Sequence, residues 1–309
     1  MPLLSNPFGN IQKVGKGLSA EGVMPAVSVW ILVAGFLFTL MSLSAKICSA
    51  YFSPFEIIFY RALFGTVCLG LMMLLQGISP VTRHPWAHVK RCTAGISCFF
   101  LEILALQHLP LSVAQSIDYT SPLIFCTFFI LMSLRGGQKV QWPIVSAVIV
   151  GFLGVLFIAK PSTEGISVIG VAYAAAAAFA GACTSWCLRD LGRYGEPNTR
   201  TVFYFMLAGT LVGGVAMMVS PEPVHAPTVE WFWPLAELMT TGFAAQVLST
   251  YAWAKGHSLL NAVFQFAGIF FGVFLGMFAF GETLDWLSLI GVGVIFSAGL
   301  FSSIYLKKH

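Results

Sequence analysis

Charged residues are scarce in this sequence. Only 9% of the 309 residues are Asp, Glu, Lys or Arg, whereas soluble globular proteins carry about a quarter. Hydrophobic residues make up 58% of the chain, and its mean hydropathy is +0.86. This composition excludes an ordinary soluble protein and favours an integral membrane protein. The net charge of +4 is small, so it gives no reason to expect nucleic acid as a partner.

The sequence also lacks the motifs of common enzyme classes. It has no phosphate-binding P-loop, which argues against an ATP-driven pump, and no glycine-rich dinucleotide loop follows a predicted strand. The seven cysteines fall in or beside apolar segments, and none is spaced with histidines as metal ligands are. We therefore predict no catalytic residues, no metal site and no cofactor, and we interpret the cysteines as small buried hydrophobic residues.

Long apolar runs, in contrast, follow one another along almost the whole chain. A membrane-spanning α-helix needs about 20 mostly apolar residues, and ten runs of this kind are separated by short links rich in helix-breaking residues. The first run is too long to be the core of a cleaved signal peptide. We therefore predict an all-α integral membrane protein with ten transmembrane helices. The predicted spans are 24–45, 55–76, 91–109, 112–134, 142–160, 166–188, 200–219, 231–254, 258–280 and 285–305.

The Lys and Arg residues between the spans predict an orientation. With a cytoplasmic N-terminus, thirteen of the sixteen lie inside and two lie outside, as the positive-inside rule favours. The sixteenth, Arg61, lies within the second span. We therefore predict that both termini are cytoplasmic and that residues 1–23 form a cytoplasmic tail. The inside residues are Lys13, Lys16, Arg83, Lys90, Arg91, Arg135, Lys139, Arg189, Arg193, Arg200, Lys255, Lys307 and Lys308, and the outside residues are Lys46 and Lys160.

The two halves of the chain align at one constant offset. Phe-Tyr at 59–60 falls on Phe-Tyr at 203–204, and Gly-Thr at 65–66 falls on Gly-Thr at 209–210. Each half then holds five spans, and an odd number places the halves in opposite orientations. This predicts an inverted-topology repeat, a construction common in secondary transporters. The predicted repeats are 24–160 and 166–305.

Three motifs, in this ten-span arrangement, resemble a known family. FYR in the second span, LPLSVAQSIDYTSP before the fourth and FGETLDW between the last two are similar to EamA-type members of the drug/metabolite transporter superfamily. The resemblance covers residues 24–305. It implies a bacterial inner-membrane transporter that moves small organic solutes, often exporting metabolites or amino acids, through a central cavity between the halves. The chain departs from the family in the ninth span, which lacks the proline often found there, whereas Pro122 is present in the fourth.

Two carboxylic acids fall within the predicted spans. Glu102 and Asp118 are each eight residues from Pro110, which lies in the turn between the third and fourth spans. Both therefore lie about 12 Å from that turn, close to the middle of the bilayer. Ionisable residues at that depth are costly and default to functional roles. The pair could share a proton or bind an amino group; alternatively, both are protonated residues that pack between helices.

Polar and aromatic side chains complete the candidate cavity. Pro122 leaves the carbonyl of Asp118 without its helical partner, which predicts a kink beside a polar patch. In the second half, Gln246 and Gln265 occupy the matching hairpin and could bind a solute or hold helices together. Aromatic candidates for the wall could equally be interface or packing residues. The predicted substrate-binding residues are Glu102, Gln115, Asp118, Tyr119, Trp186, Tyr204, Gln246 and Gln265.

Arg61 breaks the likeness between the two halves. It follows Phe59-Tyr60, but the shifted copy has Phe205 in its place. A charge within a span needs a partner, and we predict a gating or structural ion pair with Glu102 or Asp118. A lipid phosphate or direct contact with the solute are the alternatives.

The sequence thus predicts a secondary transporter that exports a small organic solute such as an amino acid. Uptake of a cationic or zwitterionic metabolite is an alternative, and so is a membrane receptor or assembly protein that transports nothing. The predicted partners are the solute and the lipid bilayer, and the sequence leaves both a monomer and a homodimer open.

Overall fold

The computed structural model describes residues 25–109, 111–137, 140–159, 167–221, 224–280 and 286–308. The predicted tail 1–23, the link 160–166 and residues 281–285 of FGETLDW lie outside these ranges. Within them every regular element is helical, and a 3₁₀ turn (Pro25–Val29) precedes the first α-helix. The α-helices are α1 (Trp30–Cys48), α2 (Pro54–Gln76), α3 (Pro85–His108), α4 (Leu111–Asp118), α5 (Ser121–Arg135), α6 (Trp142–Ala159), α7 (Val168–Arg193), α8 (Asn198–Val219), α9 (Val229–Lys255), α10 (Ser258–Gln265), α11 (Ala267–Phe280) and α12 (Trp286–Lys308).

Local sequence signals fix the ends of α2. Ser53 Oγ accepts a hydrogen bond from the Glu56 backbone N–H, and the Glu56 carboxylate accepts one from the Ser53 N–H, which together form a capping box. Pro54 starts the helix, where its missing N–H costs nothing. Gly77 ends it with a φ of 64°, a left-handed conformation that glycine adopts without a steric penalty.

Six helical segments within the described residues are long and apolar enough to cross a membrane, and they are Ala26–Cys48, Pro54–Gln76, Val113–Arg135, Val168–Arg193, Asn198–Val219 and Leu289–Leu306. Two further apolar helices are shorter, at Trp142–Phe157 and Ser258–Gly272. The helices α3 and α9 have the length, with 24 and 27 residues, but carry more polar side chains. The chain is therefore an all-helical, multi-pass membrane protein.

Four helix pairs make the largest contacts in the molecule. They are α3 with α7, α1 with α9, α2 with α8, and α6 with α12. When the first half is shifted by the offset that aligns the two halves, α1 coincides with α7 and α3 coincides with α9. The contact of α3 with α7 therefore corresponds to the contact of α9 with α1. The same offset exchanges the two partners within each remaining pair. Helix starts follow it too, since Asn198 is the counterpart of Pro54 and Val229 is the counterpart of Pro85.

The contact between α2 and α8 is close because glycines line it. A methyl group on Gly213 would lie 3.0 Å from the backbone N of Phe59, and one on Gly65 would lie 2.8 Å from the Met206 side chain. Small residues allow this approach of two helix backbones. At the same contact the hydroxyls of Thr66 and Thr210, which are counterparts in the two halves, are 3.0 Å from each other.

Two of the predicted spans are broken into two helices. The fourth breaks at Tyr119 and Thr120, between α4 and α5, and Pro122 stands in the first turn after the break. The ninth breaks at Phe266, between α10 and α11, although it has no proline. Unwound backbone at membrane depth is tolerated where it is enclosed by protein or lines a cavity.

Candidate functional site

A cavity of about 180 Å³ lies between the two halves and is lined by both. Its acidic and basic lining residues, among those described, all come from the first half: Arg61, Arg91, Glu102 and Asp118. The second half supplies neutral polar and aromatic side chains. The residues that line it include Ser42, Arg61, Arg91, Gly95, Cys98, Phe99, Glu102, Gln115, Asp118, Tyr119, Phe205, Gln246, Ser249, Trp253 and Gln265.

Both predicted acids lie in this cavity wall. Glu102, on α3, accepts a hydrogen bond of 2.9 Å from the hydroxyl of Ser42 on α1. Asp118 is the last residue of α4, directly before the break in the fourth span. Within the part of the chain that the structure describes, no hydrogen bond or ion pair engages the Asp118 carboxyl group. An acid placed in this way is available to a solute or a proton.

Two arginines face these acids within the same cavity. The side chain of Arg61, on α2, is stacked on the ring of Phe99, with 4.4 Å between the guanidinium carbon and the ring centroid. Arg91, on α3, stacks 4.1 Å from the ring of Phe205, and Arg61 lies 5.9 Å from the same ring. Cation–π contact of this kind stabilises a desolvated guanidinium, so the aromatic rings fix the position of both cations.

Glycines make room for the two guanidinium groups. A methyl group on Gly95 would collide with Arg91 Nη1. The Arg91 side chain can therefore lie against its own helix, one turn toward the C-terminus, only because residue 95 has no side chain. A methyl group on Gly242, from α9, would lie 2.7 Å from Arg61 Nε. The guanidinium of each arginine is therefore seated against helix backbone as well as against an aromatic ring.

The charges of the cavity are distributed along one face of α3. Arg91, Gly95 and Glu102 are separated by four and seven residues, which places them on the same side of a helix. The eleven residues from Arg91 to Glu102 correspond to about 16 Å of rise. The cavity thus has a cationic end at Arg91 and an acidic end at Glu102, with Arg61 and Phe99 between them.

Neutral polar groups complete the wall. Gln246 is the counterpart of Glu102 in the second half, and its amide donates a hydrogen bond of 3.1 Å to the hydroxyl of Thr250. Gln265 ends α10 at the break in the ninth span. Gln115 packs against α11, where a methyl group on Gly272 would lie 2.6 Å from its Oε1. A glycine at this position of α11 is what admits the polar side chain.

Two predicted substrate-binding residues do not line the cavity. Trp186 packs against Phe125 and stacks on the guanidinium of Arg189 at 4.4 Å. Tyr204 points to the α2–α3 loop, where its hydroxyl donates a hydrogen bond of 2.6 Å to the carbonyl of Pro80. Aromatic composition alone could not show on which side of its helix each ring lies. Trp253, on α9, lines the cavity instead.

The structure also departs from what the sequence suggested about arginine. Among the described residues, Arg61 forms no ion pair within 4.0 Å of Glu102 or Asp118, although the charge of Glu102 acts on it, and its guanidinium stacks on the rings of Phe99 and Phe205. Arg91, which the charge pattern assigns to the cytoplasmic side, is only 1% exposed and lines the cavity. It lies there because α3 begins at Pro85, six residues before the predicted start of the third span. The HP at 84–85 was the available signal, since proline favours the first turn of a helix.

Polar contacts close the bundle at the end that holds the α2–α3 and α7–α8 loops. The Glu196 carboxylate accepts hydrogen bonds from Thr82 and from Arg200, and it lies 3.5 Å from His88 Nε2. Burial acts to raise the pKa of Glu196, but these hydrogen bonds and the charge of Arg200 outweigh it and hold the pKa below its usual 4.5. The carboxylate is therefore ionised at neutral pH and holds the two loops together. We refer to this set as the Glu196 end.

A second set of contacts closes the opposite end, between the start of α2 and the α8–α9 loop. Glu56 accepts a hydrogen bond from the His225 backbone N–H and lies 3.3 Å from its imidazole Nδ1. The Tyr60 hydroxyl donates a hydrogen bond of 3.1 Å to the His225 carbonyl, and Tyr51 stacks on Trp231. We refer to this set as the Glu56 end. The cavity lies in a bundle that is joined by specific contacts at both ends.

Comparison with known proteins gives likenesses over most of the chain. The pseudopaline exporter CntI of Pseudomonas aeruginosa is 29% identical over 294 residues, which is 94% of this chain and 98% of the relative. The threonine/homoserine exporter RhtA of Escherichia coli K12 is 26% identical, with 87% of this chain and 81% of the relative covered. A riboflavin transporter of Rhizobium johnstonii is 26% identical over 89% of each chain.

The fold and the first half of the chain also have counterparts. One solved crystal structure superposes with a TM-score of 0.76 at 18% identity, covering 92% of this chain and 97% of its own, which shows a shared fold. Residues 26–160 match the model of the EamA-like transporter family. The motifs, the helical membrane fold and the relatives named as transporters agree with this match, and together they support an EamA-type membrane transporter rather than an enzyme.

Proposed function

We propose that this protein is a secondary transporter that exports a small organic solute, such as an amino acid or a related metabolite. The observation that carries the proposal is the cavity between the halves, because it combines acidic, cationic and neutral polar groups in one apolar bundle. Ionisable side chains within a membrane protein typically mark a solute or ion path. The relatives named as exporters of pseudopaline and of threonine and homoserine support export, and the second of them supports an amino acid as the solute.

The proposed architecture is ten spans arranged as two five-helix inverted repeats, 24–160 and 166–305, with both termini in the cytoplasm of a bacterial inner membrane. Support comes from the helix pairs that interchange under the constant offset and from the contact of Thr66 with Thr210. Two similar halves in opposite orientations can open one site to either side in turn, which is alternating access. The Glu196 end and the Glu56 end are the two gates in this proposal, the first on the cytoplasmic side.

Flux through the purified protein tests the proposal. The full chain is reconstituted into liposomes loaded with labelled amino acids, and efflux is followed under an imposed solute gradient and at several pH values. We expect at least one amino acid to leave faster than it leaves loaded liposomes that lack the protein. If none of the common amino acids moves at any pH, the proposed function is wrong.

Replacement of the free acid tests the site. Asp118→Asn removes a carboxylate that can hold an amino group or a proton, and charge-assisted hydrogen bonds of this kind are worth about 1.5–3 kcal/mol. We expect flux to fall by about tenfold or more and its pH dependence to change. Glu230→Gln, at an exposed position in the first turn of α9, is the matched control and should transport normally. Equal flux for Asp118→Asn and the control at every pH would remove Asp118 from the proposed site.

A further inference from the structure

We infer that Arg61 and Arg91 form an anion-binding subsite that takes the carboxylate group of the transported solute. The inference rests on the proposed function and deepens it by naming a chemical feature of the solute. Arg61 is 4% exposed and Arg91 is 1% exposed, and both border the cavity. Within the described part of the chain, Nε of each arginine and Nη1 of Arg91 are buried without a hydrogen-bond partner.

The burial of two such cations demands an anion. A buried charge is costly unless it is paired and hydrogen-bonded, and these two like charges share one aromatic ring, Phe205, between them. Cation–π contact compensates only part of that cost, at about 0.5–2 kcal/mol per pair. Glu102 and Asp118 line the same cavity, but no ion pair of the described residues engages either guanidinium, so the buried N–H donors of both arginines are left for an anion that enters the cavity.

The two guanidinium groups are preorganised for binding. The rings of Phe99 and Phe205 hold the planes of the guanidinium groups, and Gly95 and Gly242 leave the space in which they lie. A guanidinium is a rigid, planar set of donors that matches the two oxygens of a carboxylate. Groups held in place before binding lose little freedom when the ligand arrives.

The position of the arginines relative to the acids points to an amino acid. The Arg91 guanidinium lies against Gly95, one turn closer to Glu102 than the Arg91 backbone, and the Arg61 guanidinium stacks on Phe99, three residues before Glu102. The cations are therefore brought toward the acids, and a zwitterion, whose two charged groups are attached to one carbon, can direct its carboxylate to the arginines and its ammonium group to the acids. A simple amine would leave both arginines without an anion. A simple carboxylate would satisfy them but would not engage Asp118. We therefore expect the solute to carry both groups.

Ligand-induced stabilisation of the purified full chain tests the subsite. A ligand that binds only the native state raises the unfolding temperature by mass action. The probes are the common amino acids, each compared with the amine that it gives on decarboxylation; for threonine this is 1-amino-2-propanol, and 3-hydroxybutyrate is the analogue without the ammonium group. Inorganic phosphate is added as the competing anion. We expect at least one amino acid to stabilise the protein and its amine to have no effect.

Three variants connect that difference to the arginines. Arg91→Gln should weaken binding of the stabilising amino acid by about tenfold or more, and Arg91→Lys, which keeps the charge but not the planar fork, should restore only part of it. Arg189→Gln is the matched control, because Arg189 also stacks on aromatic rings but does not line the cavity. Size-exclusion elution in detergent checks that Arg91→Gln is folded, and Phe205→Leu, which removes only the ring, provides a milder perturbation.

Several results would overturn the inference. These are stabilisation by an amine equal to that by its amino acid, unchanged binding in Arg91→Gln, stronger stabilisation by inorganic phosphate than by any carboxylate, or no stabilisation by any carboxylate probe. Flux in liposomes separates this outcome from failure of the proposed function. Transport of amines that is insensitive to Arg91→Gln would reject the subsite and keep the transporter, whereas Arg91-dependent binding without flux would do the reverse.

Discussion

Tyr60 in α2 and Tyr204 in α8 are matching residues that make the same kind of hydrogen bond, but the residue after each tyrosine differs between the halves. Tyr60 donates its hydroxyl to the carbonyl of His225 at one end of the bundle, and Tyr204 donates to the carbonyl of Pro80 at the other. The next residue is Arg61 in α2 but Phe205 in α8, and both line the cavity. The contacts that join the bundle are therefore repeated, whereas the charges that face a solute are not.

The same division holds at a second matched pair. Glu102 and Gln246 are counterparts in the two halves and both line the cavity, one as an acid and the other as an amide. The difference teaches that the halves are equivalent in packing and unequal in chemistry. Phe205, which stands in the second half where the first half has Arg61, contacts both Arg61 and Arg91 through its ring.

The largest expected effect comes from breaking the helix contact that both halves share. Gly213→Leu places a side chain where even a methyl group would lie 3.0 Å from the backbone of Phe59. Overpacking costs typically about 1–3 kcal/mol, and here backbone rather than a flexible side chain must move, so we expect the upper end of that range. Thermal unfolding in detergent measures it. Gly293→Leu, where the added methyl would meet nothing within 4 Å, is the control, and equal unfolding temperatures for the two would contradict the prediction.

A smaller effect distinguishes the two hairpins by their response to acid. His257 Nδ1 accepts a hydrogen bond from the Leu260 N–H before α10, whereas its counterpart in the first half is Val113, which does not titrate. Burial, assisted by the charge of Arg189, lowers the pKa of His257 from 6.5 to about 4. The unfolded chain therefore takes up this proton first as the pH falls, and stability present above pH 6.5 is lost between pH 6.5 and about 4.

His257→Asn should remove this loss while it keeps a helix-capping acceptor. We expect the variant to be more stable than the original protein at pH 4 by on the order of 2 kcal/mol relative to the difference at pH 7.5. Unfolding temperatures measured at both pH values give the comparison. A pH dependence that is the same in both proteins would assign the acid sensitivity to other groups.

The smallest expected effect tests whether Tyr60 and Tyr204 make equivalent contributions to stability at the two ends of the bundle. Tyr60→Phe and Tyr204→Phe each remove one hydroxyl donor to a loop carbonyl, which is worth about 1 kcal/mol. We expect similar losses of stability and, in hydrogen exchange, faster exchange confined to the loop that each tyrosine holds: 220–228 for the first and 77–84 for the second. Tyr194→Phe, at an exposed position, serves as the control. Faster exchange of both loops in both variants would show that the two ends are not independent.

The sequence predicted the helical membrane fold because apolar length is a strong and simple signal. Arg61, predicted as a gating residue, lines the cavity, and so do six of the eight predicted substrate-binding residues: Glu102, Asp118, Gln115, Tyr119, Gln246 and Gln265. Their common depth could be estimated from the distance to a turn, which needs only the rise per residue.

Other features depended on tertiary contacts that no local pattern reveals. Arg91 follows Lys90, so the rule that positive charge accumulates in cytoplasmic loops assigned both residues to a loop. The structure places Arg91 on α3, where it lines the cavity. Trp186 and Tyr204 turn away from the cavity because Arg189 and the Pro80 carbonyl bind them elsewhere. The break in the ninth span at Phe266 could not be predicted, because the sequence has no proline there.

Thr66 and Thr210 occupy the same place in the two copies, and their hydroxyls touch. In the proposed inverted repeat, a residue that meets its own copy lies at the two-fold axis. When the halves exchange conformations, such a pair is carried onto itself, so its contact persists while the loops at the two ends separate in turn. In that proposal, α2 and α8 stay in contact at their glycine-lined crossing throughout the transport cycle, and the two halves rotate about this contact.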